Sequence, residues 1–586
     1  MIRTKIICTI GPSVSTLDKI FSLIDAGMNV ARLNFSHGTH DQHLVSINML
    51  KEARQSRGVP LAIILDTKGP EIRIGKIKND AVELEKGQKW LLVPEECEGD
   101  KERVHIDPPY ILNDLEPGVK VLFDDGYISS RVIETTDQGV VVAIDNGGTI
   151  RTRKGVNIPN TILSLPAVTD RDIDDIRFGC VHDVDAIAAS FVRSAKHVLD
   201  VRKILQDCGK SDTLVLAKIE NNEGVDNFDS ILQMADGIMI ARGDLGVEVP
   251  ISQVPRLQKM MIRKSYLAGK FSVTATQMLE SMIQNPRPTR AEASDVANAI
   301  YDSSSAVMLS GETAVGKYPI ETVNMMRDII EEAEKDFDYR AFFNHHSGLV
   351  YHDVPSAVSL AAVKTAYSTG AKCIFTFTTK GSSARLISRL RPSMPIIAMT
   401  TNIKSYHQMA LYWGVIPMLE HSVKSVMEGF TRVSSSALAQ NYVSYGDLAV
   451  ITAGSPFGVA GTTNTLMVEN IGNVLVRGHC GTGSKVYGNV NIIIDPQVNP
   501  EYAAADKIIV ITQCDERYLP YVEASRGVIL QNHIDDLDSE LSLMEMSKEL
   551  DKPVLVRADD ALRILREGQL VTLDPPRALV YKGVVL

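Results

Sequence analysis

Two apolar segments that end in charged residues decide the fold of this chain: Leu214-Val-Leu-Ala-Lys-Ile-Glu220 and Gly237-Ile-Met-Ile-Ala-Arg-Gly-Asp244. Continuous apolar runs of this length are typical of strands that are buried on both faces of a parallel sheet. In parallel barrels and open sheets, functional side chains lie at the carboxyl ends of the strands. Lys218, Glu220 and Asp244 are therefore candidates for holding a divalent metal and a phosphate together.

The rest of the chain supplies further strands and helices in alternation. The residues from Gly224 to Ala235, between the two segments, are predicted to form a helix. Eight strands are predicted in all: Thr4–Gly11, Asn29–Phe35, Leu61–Leu65, Ala186–Phe191, Leu214–Ile219, Gly237–Ala241, Phe271–Ala275 and Ala306–Leu309. Eight β-α repeats indicate an α/β protein built on a (β/α)8 barrel.

The pattern changes between Glu71 and Pro166, where short alternating runs are separated by turn residues. Asp125-Gly126, Asp137-Gln138-Gly139 and Asn146-Gly147-Gly148 are interpreted as hairpin turns. Because no helical period of useful length occurs here, we expect a small β-barrel lid domain, inserted after the third strand of the barrel.

A linker near Asn344–Val354 leads into a C-terminal open α/β domain. Its loop Thr378–Ser383 opens a predicted helix, and a second glycine-rich loop spans Gly454–Thr463. The free amides at a helix start can bind phosphate, but two ordinary capped helices would look the same. The expected domains are the barrel (1–70 and 167–343), the lid (71–166), the open α/β domain (344–472) and an additional small α/β domain (473–586).

Composition excludes several classes of function. The chain has 586 residues, with 61 Lys and Arg against 72 Asp and Glu, which gives a net charge of −11. This acidic balance argues against nucleic acid as a partner. The seven cysteines contain no CxxC pair, no signal-peptide pattern is seen, and no apolar run is long enough for a bilayer. We therefore expect a cytoplasmic protein with no membrane partner.

Seven motifs in fixed order resemble those of the pyruvate kinase family. They are Ile7-Cys-Thr-Ile-Gly-Pro-Ser13, Asn29-Val-Ala-Arg-Leu-Asn-Phe-Ser-His-Gly38, Leu65-Asp-Thr-Lys-Gly-Pro-Glu-Ile-Arg73, Lys218-Ile-Glu-Asn221, Ala241-Arg-Gly-Asp-Leu-Gly246, Ala275-Thr-Gln-Met-Leu-Glu-Ser-Met282 and Met308-Leu-Ser-Gly-Glu-Thr-Ala314. The resemblance implies phosphoryl transfer from phosphoenolpyruvate to ADP, giving pyruvate and ATP. It also implies Mg²⁺ (or Mn²⁺) and K⁺ as cofactors and assembly as a homotetramer.

The resemblance implies roles for residues in these motifs. Lys218, Arg32 and Thr276 would be catalytic, with Thr276 near the carbon that is protonated. The substrate would be bound by Arg32, Gly243, Asp244 and Thr276, and Mg²⁺ by Glu220 and Asp244. The nucleotide would be bound by Arg73, Lys154, Asn34 and His37. K⁺ would be bound by Asn34, Ser36, Asp66 and Thr67, since Glu71 stands where K⁺-independent members tend to carry lysine.

The same resemblance points to an allosteric phosphate site and to an extra domain. The effector site would consist of Thr378, Thr379, Lys380, Gly381, Ser382, Ser383 and Thr463. Because no second basic cluster is present, a sugar monophosphate or AMP is expected rather than a bisphosphate. The segment after Gly472 resembles the swivelling phosphohistidine domain of phosphoenolpyruvate-utilising enzymes. His533 lacks the glycines and serine of that motif, so no phosphorylation is inferred.

Two other functions are compatible with parts of the pattern. A lyase or aldolase acting on pyruvate units could share the Lys-x-Glu and Asp residues, but it would need neither a lid nor Lys154. A regulatory protein without catalytic activity would be expected to lack Lys218, Arg32 or a metal-binding carboxylate, and all of these are present.

Overall fold

The computed structural model of this protein describes residues 2–349, 353–459, 461–496 and 499–585. Parts of the predicted linker Asn344–Val354 and of the loop Gly454–Thr463 lie outside these residues. Two compact units are formed, one by residues 1–360, 376–422 and 454–464, the other by residues 361–375, 423–453 and 465–586. In the described part of the chain, every helix is too short or too polar to cross a membrane.

The first unit contains the predicted barrel, which is closed and entirely parallel. Its strands are Lys5–Thr9, Val30–Asn34, Ala62–Asp66, Ala186–Ala189, Leu214–Ile219, Gly237–Ala241, Phe271–Ala275 and Ala306–Leu309. Nearly every residue of these strands is buried. This burial explains why their sequences read as unbroken apolar runs.

Helices surround the barrel, and capping residues fix where several of them begin. They are Leu17–Ala26, His40–Arg57, Asp170–Val181, Ala195–Asp207, Asn222–Asp226, Phe228–Met234, Arg242–Glu248, Val254–Leu267, Arg290–Tyr301, Gly311–Ala314, Pro319–Asp336 and Tyr339–His346. Thr39, Thr169 and Thr289 each begin a helix with a capping box. The prediction of a single helix from Gly224 to Ala235 is wrong, because two helices meet at Asn227. The side chain of Asn227 donates a hydrogen bond to the carbonyl of Arg193.

The inserted segment forms a second closed barrel, as predicted. Its seven strands are Ile72–Ile74, Lys89–Val93, Arg103–Asp107, Lys120–Phe123, Ile128–Thr136, Gly139–Ile144 and Gly155–Asn157. The hairpin turns at Asp125-Gly126 and at 137–139 are confirmed. The hairpin at 146–148 is wrong, because the strand Gly148–Arg151 pairs with Ala81–Leu84 in a separate sheet.

The α/β domain has a five-stranded sheet. In spatial order its strands are Val415–Leu419, Ile396–Thr400, Cys373–Phe377, Leu448–Gly454 and Thr463–Asn470. The helices are Val354–Thr369, Ser382–Ser388, Ile403–Gln408 and Val426–Ala439. The strand Val415–Leu419 lies at one edge of the sheet and contains Pro417, and proline within a strand is tolerated at sheet edges.

The C-terminal segment forms a mixed eight-stranded sheet with helices. The strands are Val474–Arg477, Cys480–Thr482, Val486–Ile492, Lys507–Ile511, Gly527–Leu530, Val554–Val556, Leu570–Asp574 and Leu579–Lys582, and the helices are Pro500–Ala504, Leu519–Ala524, Leu537–Leu550 and Ala561–Ile564. Along Lys507–Ile511, alternate residues enter two different hydrophobic clusters. Both faces of this sheet are therefore covered.

The buried carboxylate of Glu334 joins the start of the first barrel strand to the last long helix of the barrel. It accepts hydrogen bonds from the backbone N–H of Arg3 and from the N–H and hydroxyl of Thr4, the latter two at 2.7 and 2.9 Å. Replacement Glu334→Ala would leave these donors without an acceptor. We expect it to destabilise the barrel by about 1–3 kcal/mol.

The effect of Glu334→Ala is measured as a shift in the midpoint of urea unfolding and as faster hydrogen exchange in Lys5–Thr9. The matched control is Glu332→Ala on the same helix, where the side chain is exposed and pairs with Lys335. Equal midpoints for the two variants would contradict the anchoring role.

Candidate active site

The ammonium group of Lys218 lies at the centre of a buried ionic network at the carboxyl ends of the barrel strands. Its Nζ is 3.0 Å from Asp66 Oδ1 and 3.0 Å from Glu220 Oε1, and it donates to Ser190 Oγ at 2.7 Å. Arg32 Nε binds the other oxygen of Asp66 at 2.5 Å. Two cations thus converge on one carboxylate that has no exposed surface.

Charge pairing overcomes burial for two members of this network. Burial by itself would lower the pKa of Lys218, but the charges of Asp66 and Glu220 outweigh it and raise that pKa above its ordinary value. Burial would likewise raise the pKa of Asp66, but Arg32 and Lys218 hold it below its usual range. Lys218 and Asp66 are therefore both charged at neutral pH.

The carboxyl groups of Glu220 and Asp244 form the other half of the site. Burial raises the pKa of Glu220 to about 7, opposed by Lys218 and reinforced by Asp244. Burial also raises the pKa of Asp244, whose side chain is hydrogen-bonded to that of Glu220. Two close carboxyl groups disfavour joint ionisation unless a cation lies between them. In the described part of the chain, no cluster of three or more His, Cys, Asp or Glu side chains could hold a metal. Mg²⁺ is commonly held by only one or two carboxylates, with water and substrate oxygens as its other ligands.

Thr276 lies at the mouth of the barrel on a turn with unusual backbone geometry. Its φ is +66° and that of Gln277 is +53°. The hydroxyl of Thr276 donates to the carbonyl of Ala275 at 2.7 Å and accepts from the N–H of Gly243 at 2.9 Å. The structure therefore brings Gly243 and Thr276 into direct contact.

A large cavity of about 610 Å³ lies between the barrel and the second barrel, and Asp244, Arg73 and Lys154 are among its lining residues. Arg73 belongs to the second barrel and pairs with Glu71 at 2.7 Å. Lys154 pairs with Asp124 at 2.8 Å. Both cations face the cavity with carboxylate partners from their own segment.

The other residues proposed for K⁺ and nucleotide lie beside the network. Asn34 is opposite Asp66 on the neighbouring strand, and its Oδ1 accepts from the N–H of Ser36. The carbonyl of Thr67 accepts from Ser190 Oγ at 2.6 Å. His37 is exposed, and its carbonyl hydrogen-bonds with His43. Asn34 and Asp66 are thus neighbours, whereas His37 lies in the exposed loop between the second barrel strand and the helix His40–Arg57.

The proposed effector residues surround a second, smaller cavity of about 50 Å³. Those that line it are Thr378, Thr379, Ser382, Ser383 and Thr463. The hydroxyls of Ser383 and Thr463 are hydrogen-bonded, which joins the two predicted loops. Lys380 is exposed and is not among the lining residues, and neither is Gly381.

Sequence reasoning missed two hydroxyl groups of the ionic network. Ser190 follows the fourth barrel strand and contacts Lys218, Asp66 and Thr67. Thr9 ends the first strand, and its Oγ1 accepts from Arg32 at 3.0 Å. Both residues could have been predicted from their positions, because polar residues at the carboxyl ends of barrel strands face the same mouth of the barrel.

The chemical capacity of the site follows from these contacts. Buried cations beside two protonatable carboxyl groups can stabilise negative charge on a phosphoryl group and bind a divalent metal. A hydroxyl group lies at the edge of the same site. This combination suits phosphoryl transfer coupled to proton transfer.

Known proteins resemble this chain over most or all of its length. Family models described as the barrel domain and the alpha/beta domain of pyruvate kinase match residues 1–323 and 356–469. A pyruvate kinase from Staphylococcus epidermidis is 42% identical over 587 residues, covering 100% of this chain and 99% of that protein. A pyruvate kinase from Geobacillus stearothermophilus is 40% identical over 584 residues, covering 99% of both chains.

A solved structure is also similar. It is a pyruvate kinase from Cryptosporidium parvum, with a TM-score of 0.77 and 39% identity, covering 80% of this chain and 96% of that chain. The two bacterial relatives match the full length, including the C-terminal segment that lies beyond both family models. The chain therefore belongs to the pyruvate kinase family.

Proposed function

We propose that this chain transfers the phosphoryl group of phosphoenolpyruvate to ADP and releases pyruvate and ATP. The observation that carries the proposal is the placement of Lys218 and Arg32 on the same buried carboxylate, Asp66, beside Glu220 and Asp244. Phosphoryl transfer depends mainly on positioning and on neutralising charge on the moving group. Lys218 and Arg32 supply that charge in a site from which water is largely excluded.

The pair Glu220 and Asp244 would hold Mg²⁺ or Mn²⁺. Burial raises the pKa of both carboxyl groups, and the charge of Asp244 raises the pKa of Glu220 further. A divalent cation beside the two carboxyl groups would favour their ionised forms. A bound metal would supply further positive charge to the phosphoryl and enolate oxygens. Two carboxylates completed by substrate oxygens are the ligand set that Mg²⁺ favours.

Thr276 would deliver the proton that converts enolpyruvate to pyruvate. Its hydroxyl lies next to the N–H of Gly243, one residue before Asp244. Gly243, Asp244 and Thr276 would together bind the enolpyruvate unit, with Arg32 on its phosphoryl group. The hydroxyl would act as a proton relay: it would give its proton to the substrate carbon and regain one from solvent, so the site would gain no charge.

The nucleotide would enter by the large cavity. Arg73 and Lys154 would exchange Glu71 and Asp124 for the phosphates of ADP, while Asn34 and His37 would contact the nucleotide from the barrel. The second barrel, as a lid, would exclude water so that the phosphoryl group passes to ADP.

A monovalent cation would complete the charge balance. Asn34, Ser36, Asp66 and Thr67 would supply oxygens to K⁺ near the phosphoryl group. Glu71 adds a carboxylate close to this site, although Arg73 and Lys68 partly neutralise it.

The second cavity would bind a phosphorylated effector, a sugar monophosphate or AMP. Support for regulation comes from the short helix Ile403–Gln408, which follows the cavity residues Thr400 and Thr401. Its buried Lys404 binds Asp183 at 3.0 Å and Thr213 at 3.1 Å, next to the strand that carries Lys218. A change at the cavity can therefore reach the barrel through this helix.

Further proposals concern organisation. The four domains (1–70 with 167–343, 71–166, 344–472 and 473–586) would assemble into a cytoplasmic homotetramer. The C-terminal domain would be a degenerate relative of the swivelling domain, since His533 is exposed and pairs only with Asp535 among the described residues. It would contribute to stability or regulation and not to the chemistry.

The function is tested by following ATP formation from phosphoenolpyruvate and ADP, with pyruvate measured in a coupled assay. Lys218→Met removes the central positive charge, so turnover should fall by about 10²–10³-fold or more while the KM for phosphoenolpyruvate changes less. The matched control is Lys196→Met, since Lys196 is exposed on a barrel helix. Turnover within tenfold of wild type in a folded Lys218→Met variant would refute the role.

The need for K⁺ is tested by replacing it with tetramethylammonium. Activity should fall steeply, because this bulky cation cannot be held by the four oxygens. Glu71→Lys should restore much of the activity, since an ammonium group supplies the missing charge. Glu71→Gln, which removes a charge without adding a positive one, should restore less. Full wild-type activity without K⁺ would show that these oxygens hold no functional ion.

The effector site is tested by Ser382→Asp, which places a carboxylate on the wall of the small cavity. Like-charge repulsion should raise the activation constant for a sugar monophosphate or AMP by about tenfold or more, and the unstimulated activity should stay unchanged. Ser382→Asn has the same size without the charge and should remain activatable. Strong activation of wild type by a sugar bisphosphate alone would contradict the proposal.

A further inference from the structure

Two consecutive residues of the loop after the seventh barrel strand have left-handed backbone conformations. They are Thr276 and Gln277, with φ of +66° and +53°. Such a conformation is uncommon for any residue other than glycine and is least favourable for a β-branched one such as threonine. A strained backbone persists only where its surroundings hold it in place.

The guanidinium of Arg242 holds this turn. Its Nη2 donates to the carbonyl of Thr276 at 2.8 Å, and its Nε donates to the carbonyl of Ala275 at 3.3 Å. Its Nη1 binds the carboxylate of Asp295, on a different helix, at 2.7–2.8 Å. The arginine side chain is mostly buried, so these contacts have little competition from water.

The same arginine begins the helix that carries Asp244. Gly243, between Arg242 and Asp244, donates its N–H to the hydroxyl of Thr276. The strand before Arg242 and the strand before Thr276 are paired in register, with Ala241 opposite Ala275. Arg242 therefore ties the position of the Thr276 hydroxyl to the position of the Asp244 carboxylate.

We infer that Arg242, oriented by Asp295, is a positioning residue that sets the proton-delivering hydroxyl of Thr276 against the substrate. This inference rests on the proposed function. The proposed reaction has two steps, phosphoryl transfer and protonation of the enolate. The contacts of Arg242 converge on the Thr276 turn and not on Lys218 or Arg32. Arg242 affects protonation of the enolate more strongly than phosphoryl transfer.

Protonation converts the bound enolate to pyruvate. The terminal carbon of the enolate takes a proton from the Thr276 side and forms a C–H bond with the electron pair of its C=C bond. The C–O bond of the enolate becomes the C=O bond of pyruvate. The proton passed on by the hydroxyl is replaced from solvent.

The test measures the two steps separately in the full-length protein with Mg²⁺ and K⁺. Phosphoryl transfer is followed as ATP formation from phosphoenolpyruvate and ADP. Proton transfer is followed by NMR as exchange of the methyl protons of pyruvate in D₂O, with inorganic phosphate in place of the nucleotide. The variants are Arg242→Lys and Asp295→Asn, and the matched control is Arg256→Lys, an exposed arginine on the following helix.

We expect Arg242→Lys to slow methyl-proton exchange by about 10²-fold, the cost of a small misplacement of a reacting group, and to slow ATP formation about tenfold less. Asp295→Asn should also slow methyl-proton exchange more than ATP formation, by smaller factors. This second variant tests the inference if Arg242→Lys does not fold. Equal losses in both rates, or no change in either, would overturn the inference. A wild-type chain that exchanges methyl protons but forms no ATP would overturn the proposed function instead.

Discussion

The buried carboxylate of Asp66 is the interaction on which the rest of the site depends. Arg32, Lys218 and Ser190 all bind it, and it has no exposed surface. Removing one partner from a buried ionic network leaves an uncompensated charge, which is strongly destabilising. The barrel can carry these charges in its interior only because strands two, three, four and five all end at the same mouth.

The cations of the site fall into two groups with different surroundings. Lys218 and Arg32 are buried and fixed by carboxylates on rigid strands, so their positions are set before any substrate arrives. Arg73 and Lys154 are partly exposed and pair with Glu71 and Asp124 near the large cavity. Exposed ion pairs contribute little to stability, so breaking either of these two pairs costs little free energy.

The sequence predicted the bounds of the barrel strands well, but it predicted the irregular segments between strands less well. Four of the strands, including Leu214–Ile219 and Gly237–Ala241, have the predicted bounds, because buried parallel strands leave an unbroken apolar run. The helix break at Asn227 was missed, since it depends on a hydrogen bond to Arg193 from another loop. The pairing of Gly148–Arg151 with Ala81–Leu84 was missed because a turn signal does not identify the partner strand.

The sequence by itself determined which chemical groups are available: the order of strands and helices, the motif residues Lys218, Glu220 and Asp244, and the family to which they point. Only the tertiary structure decided which groups meet. Ser190 contacts Asp66 from 124 positions away, and Arg242 holds the carbonyl of Thr276 from 34 positions away. Local sequence patterns report burial and periodicity over one or two elements. Contacts between distant strand ends and loops depend instead on barrel closure, which fixes their distances only after the whole chain has folded.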